Sequence, residues 1–213
     1  QDYFEREYNR KTYFIPNGIS KPEKREINLI RNKYGLKKDG YFLFLARIVP
    51  EKGVHYLIEA YNQLQTDKKL VIAGGSSHSG EYKEKINALV QANPDIVMTN
   101  FVQGQILEEL YSNAYAFILP SDIEGMALSL LEAMSYGNCC VVSDIPENTE
   151  VVEDHAITFK KGDVEDLRKK LQGLCDEPEI VISYRRNAAN FICDKYNWDN
   201  VVRQTEQIYE EQL

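Results

Sequence analysis

The chain has 213 residues, 43% hydrophobic and 27% charged, with a formal net charge of −8. Such a composition suits one globular domain, or one domain with extensions, with ample material for a core. The acidic balance excludes duplex nucleic acid as a partner, because no basic run offsets phosphate repulsion; no apolar stretch reaches transmembrane length and no signal-peptide pattern opens the sequence, so membrane contact is not indicated.

The opening QDYFEREYNRK is polar and reads as the tail of a helix, and a start at Gln1 without Met is expected of a piece of something longer. TYFIP and the turn Asn17-Gly18 follow. Pro22 to Tyr34 is predicted helical, with Pro22 near the first turn and Gly35 at the stop. From Tyr41 the rhythm is regular: strand YFLFLAR, helix Val54–Leu64, strand Leu70–Ala73, helix Tyr82–Ala92, strand Ile96–Val102, helix Ile106–Asn113, strand Ala116–Leu119. A helix over Met126–Tyr136, the strand Cys139–Ser143 and a short strand Ile157–Phe159 come next. Val164–Cys175, Ile180–Lys195 and Trp198–Glu211 are predicted as the closing helices. Near-continuous apolar strands alternating with helices mean a parallel sheet covered on both faces. With right-handed crossovers this is an α/β, doubly wound, Rossmann-like fold.

The stretch SDIEGMALSLLEAMSYG, Ser121 to Gly137, is the most informative. Met126 to Tyr136 has no Pro, Gly or β-branched residue, and its apolar residues cover most of the circumference, which predicts a helix buried on nearly all sides. Glu132 sits in its middle, where a carboxylate must be paired, protonated or reserved for a ligand. Glu124 precedes the helix, and the free N–H groups of Gly125, Met126 and Ala127 are expected to open it, a setting that favours an anion. The competing reading is an ordinary ion pair between these acids and a neighbouring Arg or Lys.

In such a sheet, ligands lie beyond the carboxyl ends of the strands. Five loops are expected there: Arg47–Gly53, Gly74–Gly80, Asn100–Gln105, Ser121–Gly125 and Ser143–Asn148. Arg47 offers a planar fork and Lys52 a mobile point charge, which together could clamp a pyrophosphate or, alternatively, pair with Glu51, Glu124 or Glu132. The Gly74-Gly75 turn permits close backbone approach. Neither a Walker loop nor a G-x-G-x-x-G fingerprint occurs. The four cysteines lack metal or redox spacing; Cys139 and Cys140 point to opposite faces as buried thiols, and the usage fits a reducing, cytoplasmic compartment. His55, His78 and His155 have no metal or triad partner at useful spacing and are read as solvated.

Taken in order, the IPNG entry, Arg47 with Lys52-Gly53, TNFVQG, LYSNAYAFILPS, EGMALSLLEA and the tail WDNVVRQTEQIY resemble the C-terminal, donor-binding domain of retaining glycosyltransferases of the GT-B fold. That group is glycosyltransferase family 4, also called glycosyl transferases group 1. The resemblance runs from about Phe14 to the end and implies the following roles. Arg47 and Lys52 hold the donor diphosphate and stabilise its departure; Glu124 binds a hydroxyl of the transferred sugar; the amides of Gly125, Met126 and Ala127 reach sugar and phosphate. Glu132 takes the ribose hydroxyls, and Phe101 and Val102 line the nucleobase pocket, near Gly74 and Gly75. No protein-bound metal or other cofactor is implied, and the partner is a nucleoside-diphosphate sugar. By the same resemblance, residues 1–20 close a missing N-terminal, acceptor-binding domain, 21–197 form the donor domain, and 198–213 form a helix crossing back. Asn100 stands where Gly is common, and Cys139 where Pro is frequent. A nucleotide-sugar epimerase of similar fold and a non-catalytic sugar-nucleotide-binding module are the competing functions.

Overall fold

The computed structural model describes residues 2–75 and 80–212. Its elements run α1 (Asp2–Tyr8), α2 (Leu29–Tyr34), β1 (Tyr41–Leu45), a 3-10 turn (Pro50–Lys52), α3 (Val54–Tyr61), β2 (Lys69–Ala73), α4 (Gly80–Gln91), β3 (Ile96–Asn100), α5 (Gln105–Asn113) and β4 (Ala116–Leu119). They continue with α6 (Leu128–Ser135), β5 (Cys140–Ser143), α7 (Pro146–Val152), β6 (Ile157–Phe159), α8 (Val164–Asp176), α9 (Pro178–Lys195) and α10 (Trp198–Gln212).

The six strands form one sheet in the order β3-β2-β1-β4-β5-β6, and every pair is parallel. Parallel neighbours need helical crossovers, so both faces are covered. Successive strand residues therefore enter two different cores. Leu43, Val71, Phe117, Cys140 and Val142 pack with Leu110, Tyr111, Leu131 and Ile192 on one face. Phe44, Ile72, Ile118, Cys139 and Val141 pack with Leu57, Ile58, Ile86 and Leu171 on the other. The sheet is thus doubly wound, as the sequence pattern requires, and its order reverses between β1 and β4.

Several boundaries differ from expectation. Helix α2 keeps only Leu29–Tyr34 of the stretch predicted from Pro22; Gly35 ends it in the left-handed region at φ 65°. Part of the remainder is held in irregular form by α5: Ser112 accepts from the Arg25 amide, and the Glu109 carboxylate accepts from the amides of Asn28 and Ile30 at 2.9 and 3.1 Å. Side-chain acceptors therefore take amides that a helix would have used. β3 stops at Asn100, which adopts φ 59°, a left-handed turn that Asn tolerates in place of Gly. The loop expected over Ser143–Asn148 is partly α7, begun by Pro146 in its first turn.

Helix α6 starts at Leu128, two residues later than predicted, because Ala127 is extended at φ −71° and ψ 97°. Its first residue, Leu128, is 53% exposed, whereas Leu130, Leu131, Ala133 and Met134 are fully buried. Burial on nearly all sides holds for the body of the helix and fails at its entrance.

Candidate functional site

The loops after β1 and β4 flank the point where strand order reverses, which is where a ligand crevice opens in this architecture. Backbone geometry locks these loops together. Gly53 has φ 66°, and a Cβ there would stand 2.0 Å from the Pro120 carbonyl oxygen. Glu51 accepts from the Asp122 amide at 2.8 Å, and the Tyr56 hydroxyl donates to Asp122 Oδ2 at 3.2 Å. Further out, a Cβ on Gly74 would meet the Ala46 carbonyl oxygen at 1.8 Å. Gly74 is therefore required by the neighbouring β1 loop itself. The Ile48 amide donates to the Gly75 carbonyl, and the Gly74 amide to that of Asn100, so the loops after β3, β2 and β1 form a continuous rim.

Within this frame Lys52 Nζ lies 2.6 Å from Glu124 Oε2, their side chains only 13% and 6% exposed. The other Glu124 oxygen, Oε1, accepts from Ser121 Oγ at 2.6 Å. Ser143 Oγ donates to the Ser121 carbonyl, and Asn148 Nδ2 donates to Ser143 Oγ at 3.1 Å. A buried polar chain from α7 through β5 thus fixes the carboxylate and the lysine. The ion-pair alternative for Lys52 and Glu124 is realised. Each carboxylate oxygen keeps a further lone-pair direction for an outside donor. Arg47 is exposed and forms no ion pair with any described residue, so its guanidinium is available at the carboxyl end of β1.

Gly125, Met126 and Ala127 lie in the loop before α6 and do not form its first turn. Their amides donate no hydrogen bond among the described residues, which leaves three donors beside Glu124. Met126 itself is engaged through sulfur, which accepts from the Asn17 amide at 3.3 Å. A cleft of about 370 Å³ opens beside Gly125 and Met126, walled by Phe14, Asn17, Glu147 and Tyr196.

Glu132 is half-buried, and no Lys or Arg of the described residues pairs with it, so the ion-pair alternative fails here. Its Oε2 accepts from the Tyr111 hydroxyl at 2.8 Å. Burial, then the neighbouring Glu132 charge and that bond, push the Tyr111 phenol well above its ordinary value, so it remains a donor. Phe101 is 70% exposed just beyond β3, with its Cβ 3.7 Å from the Cβ position of Gly75; Val102 packs partly against the core.

The sequence reading missed Tyr56 and Tyr111 as members of the site, because each acts through a partner on another element, Asp122 and Glu132 respectively. It placed Ser121 and Asp122 in the right loop without giving either a role. It also read His55 and His155 as solvated, which neither is. His55 is half-buried, lies against Tyr56 with ring centroids 3.9 Å apart and planes tilted by 44°, and meets the Tyr82 hydroxyl at 2.8 Å. Burial, with Lys85 nearby, lowers its pKa, while burial raises Tyr82 to about 12. His155 stacks on Phe191 at 3.7 Å and is likewise not simply solvated. His78 lies outside the described residues. Among the described residues no group of three or more His, Cys, Asp or Glu is placed to hold a metal ion.

Two cations and three open amides can neutralise a polyanion, and two carboxylates can grip hydroxyls. Comparisons with known proteins find glycosyltransferases. An uncharacterized glycosyltransferase of Methanocaldococcus jannaschii is 29% identical over 211 residues, covering 93% of this chain and 54% of its own length. The O-antigen chain mannosyltransferase B of Escherichia coli is 29% identical over 188 residues, 84% of this chain and 48% of its own. The chain thus spans about half the length of the curated relatives it matches. Among solved structures, sucrose-phosphate synthase from Thermosynechococcus elongatus superposes with TM-score 0.82 at 22% identity, over 99% of this chain and 56% of that one. Anabaena HepE in complex with UDP and glucose gives TM-score 0.79 at 16% identity, over 85% and 51%. The family model for glycosyl transferases group 1 matches residues 26–191. That span contains all six described strands together with Arg47, Lys52, Glu124 and Glu132, and the chain belongs to the glycosyl transferases group 1 family.

Proposed function

We propose that this chain is the donor-binding half of a glycosyltransferase of the GT-B fold, which moves a sugar from a nucleoside diphosphate to an acceptor with retention of anomeric configuration. The observation that carries the reading is the pairing at the sheet's switch point: a nearly buried Lys52–Glu124 contact, with Arg47, which pairs with no described acid, on the same loop as Lys52. Departure of a nucleoside diphosphate builds negative charge on the leaving oxygen, and preorganised cations and amides lower that barrier more than any acid or base would. In this scheme Arg47 and Lys52 hold the diphosphate, and the amides of Gly125, Met126 and Ala127 complete the anion site. Glu124, fixed by Ser121, accepts a hydroxyl of the transferred sugar. Glu132 accepts the ribose hydroxyls, and Phe101 and Val102 form the wall for the base. Bound UDP and glucose in the structurally similar Anabaena protein support this assignment. No metal or other cofactor is needed, because the cations and amides supply the charge.

The partner domain, in the same reading, is an N-terminal acceptor-binding half reached through residues 1–20, with α10 crossing back to it. Exposed Tyr3, Phe4, Phe14, Trp198, Val202 and Tyr209, gathered on the two terminal segments, support that placement. No helix of the described residues is long and apolar enough to cross a membrane. Four free thiols fit a cytoplasmic setting.

Calorimetry on the full-length protein with UDP, GDP, ADP and dTDP, each with and without its sugar, tests the reading. One preferred nucleotide is expected, with tighter binding when the sugar is attached. A folded sample that binds none of them overturns it.

A further inference from the structure

Tyr111 is 2% exposed, yet its hydroxyl reaches out of the core to a half-buried carboxylate. A phenol carries one proton. The contact to Glu132 Oε2 is 2.8 Å and that to the Ser129 carbonyl 3.4 Å, so the proton goes to Glu132. The tyrosine itself is clamped. Its ring stacks on Tyr136 at 5.3 Å and 16°, and its carbonyl accepts from Asn138 Nδ2 at 2.9 Å. Helix α5, which carries it, is tied to the segment before α2 through the fully buried Glu109. Asn138 also donates to the Ala133 carbonyl of α6, so donor and acceptor are mounted on one rigid support.

The result is a carboxylate with one oxygen occupied from the protein side and the other, Oε1, bonded to no described residue. A glutamate free to rotate offers its lone pairs in many directions and loses that freedom on binding; this one is already fixed. We infer that Tyr111 is the positioning residue for Glu132, holding its open oxygen toward vicinal hydroxyls so that the site selects ribose over 2′-deoxyribose. The inference rests on the donor-binding reading above. Without the 2′-hydroxyl, a desolvated carboxylate oxygen is left without its partner, which is the costly side of hydrogen-bond selectivity.

The test compares UDP with 2′-deoxy-UDP, and the guanine and adenine pairs, by calorimetry on the full-length protein and its Tyr111→Phe variant. Phe keeps the ring and removes only the donor. Wild type is expected to bind the preferred ribonucleotide at least about tenfold tighter than its deoxy form. Tyr111→Phe is expected to cut that ratio about fivefold or more, with the donor KM rising more than kcat falls. A tyrosine that merely satisfied its own hydroxyl would lower the melting temperature and leave the ratio alone, which overturns the inference. Should Tyr111→Phe not fold, Glu132→Asp serves: it keeps the charge but draws the carboxylate away from the hydroxyl, and an unchanged ratio there is equally fatal. Wild type that binds both sugars equally overturns the inference while leaving donor binding intact; wild type that binds no nucleotide overturns both.

Discussion

Lys52 and Glu124 exclude most solvent from each other, so removing either strands a charge in a poor dielectric. Glu124→Ala is therefore expected to lower stability by about 3 kcal/mol, within the usual range for breaking a buried pair, and to reduce turnover more than donor affinity. Thermal melts and steady-state kinetics on the full-length protein check both. Glu132 pairs with no Lys or Arg of the described residues, but Glu132→Ala strands the buried Tyr111 hydroxyl, so it is expected to cost about 1–2 kcal/mol while weakening nucleotide binding about tenfold. Equal affinity losses in the two variants would contradict the roles assigned. Glu109 shows a third environment. Burial alone would raise its carboxyl, but the amides of Asn28, Ile30 and Leu29 and the Gln105 side chain hold the pKa below the usual value of 4.5. A depressed folded-state pKa contributes stability above the unfolded value, and that contribution is lost as pH falls through the folded one. Glu109→Gln is expected to lose stability at neutral pH and to show a shallower loss on acidification, read from urea melts between about pH 7 and pH 3.

Among the elements, the strands were the most legible, because burial on two faces leaves an uninterrupted apolar run such as YFLFL or CVVS. The alternation that sends Cys139 to one core and Cys140 to the other has a chemical consequence. Burial raises the Cys139 thiol to about 12 and pushes Cys140 well above its ordinary value. Both are expected to resist a disulfide reagent in the native protein and to react only on unfolding, whereas half-buried Cys175 and Cys193 react sooner; a timed thiol assay decides. Helix limits were less legible. The loss of Pro22–Asn28 from α2 follows from acceptors on α5 more than eighty residues away, which no local propensity reveals. The delayed start of α6 leaves the amides of residues 125–127 open to the crevice. Gly53→Ala is expected to disrupt this region: its Cβ collides with the Pro120 carbonyl in a left-handed backbone, so the β1 and β4 loops separate. Donor binding should fall with it, whereas Gly125→Ala, which meets nothing within 4 Å, should leave the fold unperturbed.

For the whole molecule, the only tryptophan, Trp198, reports on how α10 joins the sheet domain. A Cβ on Gly18 would enter its ring at 2.4 Å, and the Ile19 amide donates to the Tyr196 carbonyl at 2.7 Å, so the entering and leaving chain segments meet there. Gly18→Ala is expected to displace the indole and red-shift its emission without changing the melting of the sheet domain; an unchanged spectrum would contradict the packing. The sequence by itself determined the α/β class, the parallel sheet and the residue types gathered at its carboxyl edge, because those follow from local periodicity and from the rule that crossovers return strands in parallel. Only the tertiary structure decided which neighbours those residues have. It placed the strand reversal between β1 and β4, paired Lys52 with Glu124, left Arg47 without an ion pair among the described residues, and gave Glu132 a tyrosine instead of a cation. Such contacts join positions scores of residues apart, and their energies depend on burial and direction, quantities that come into being when the layers pack.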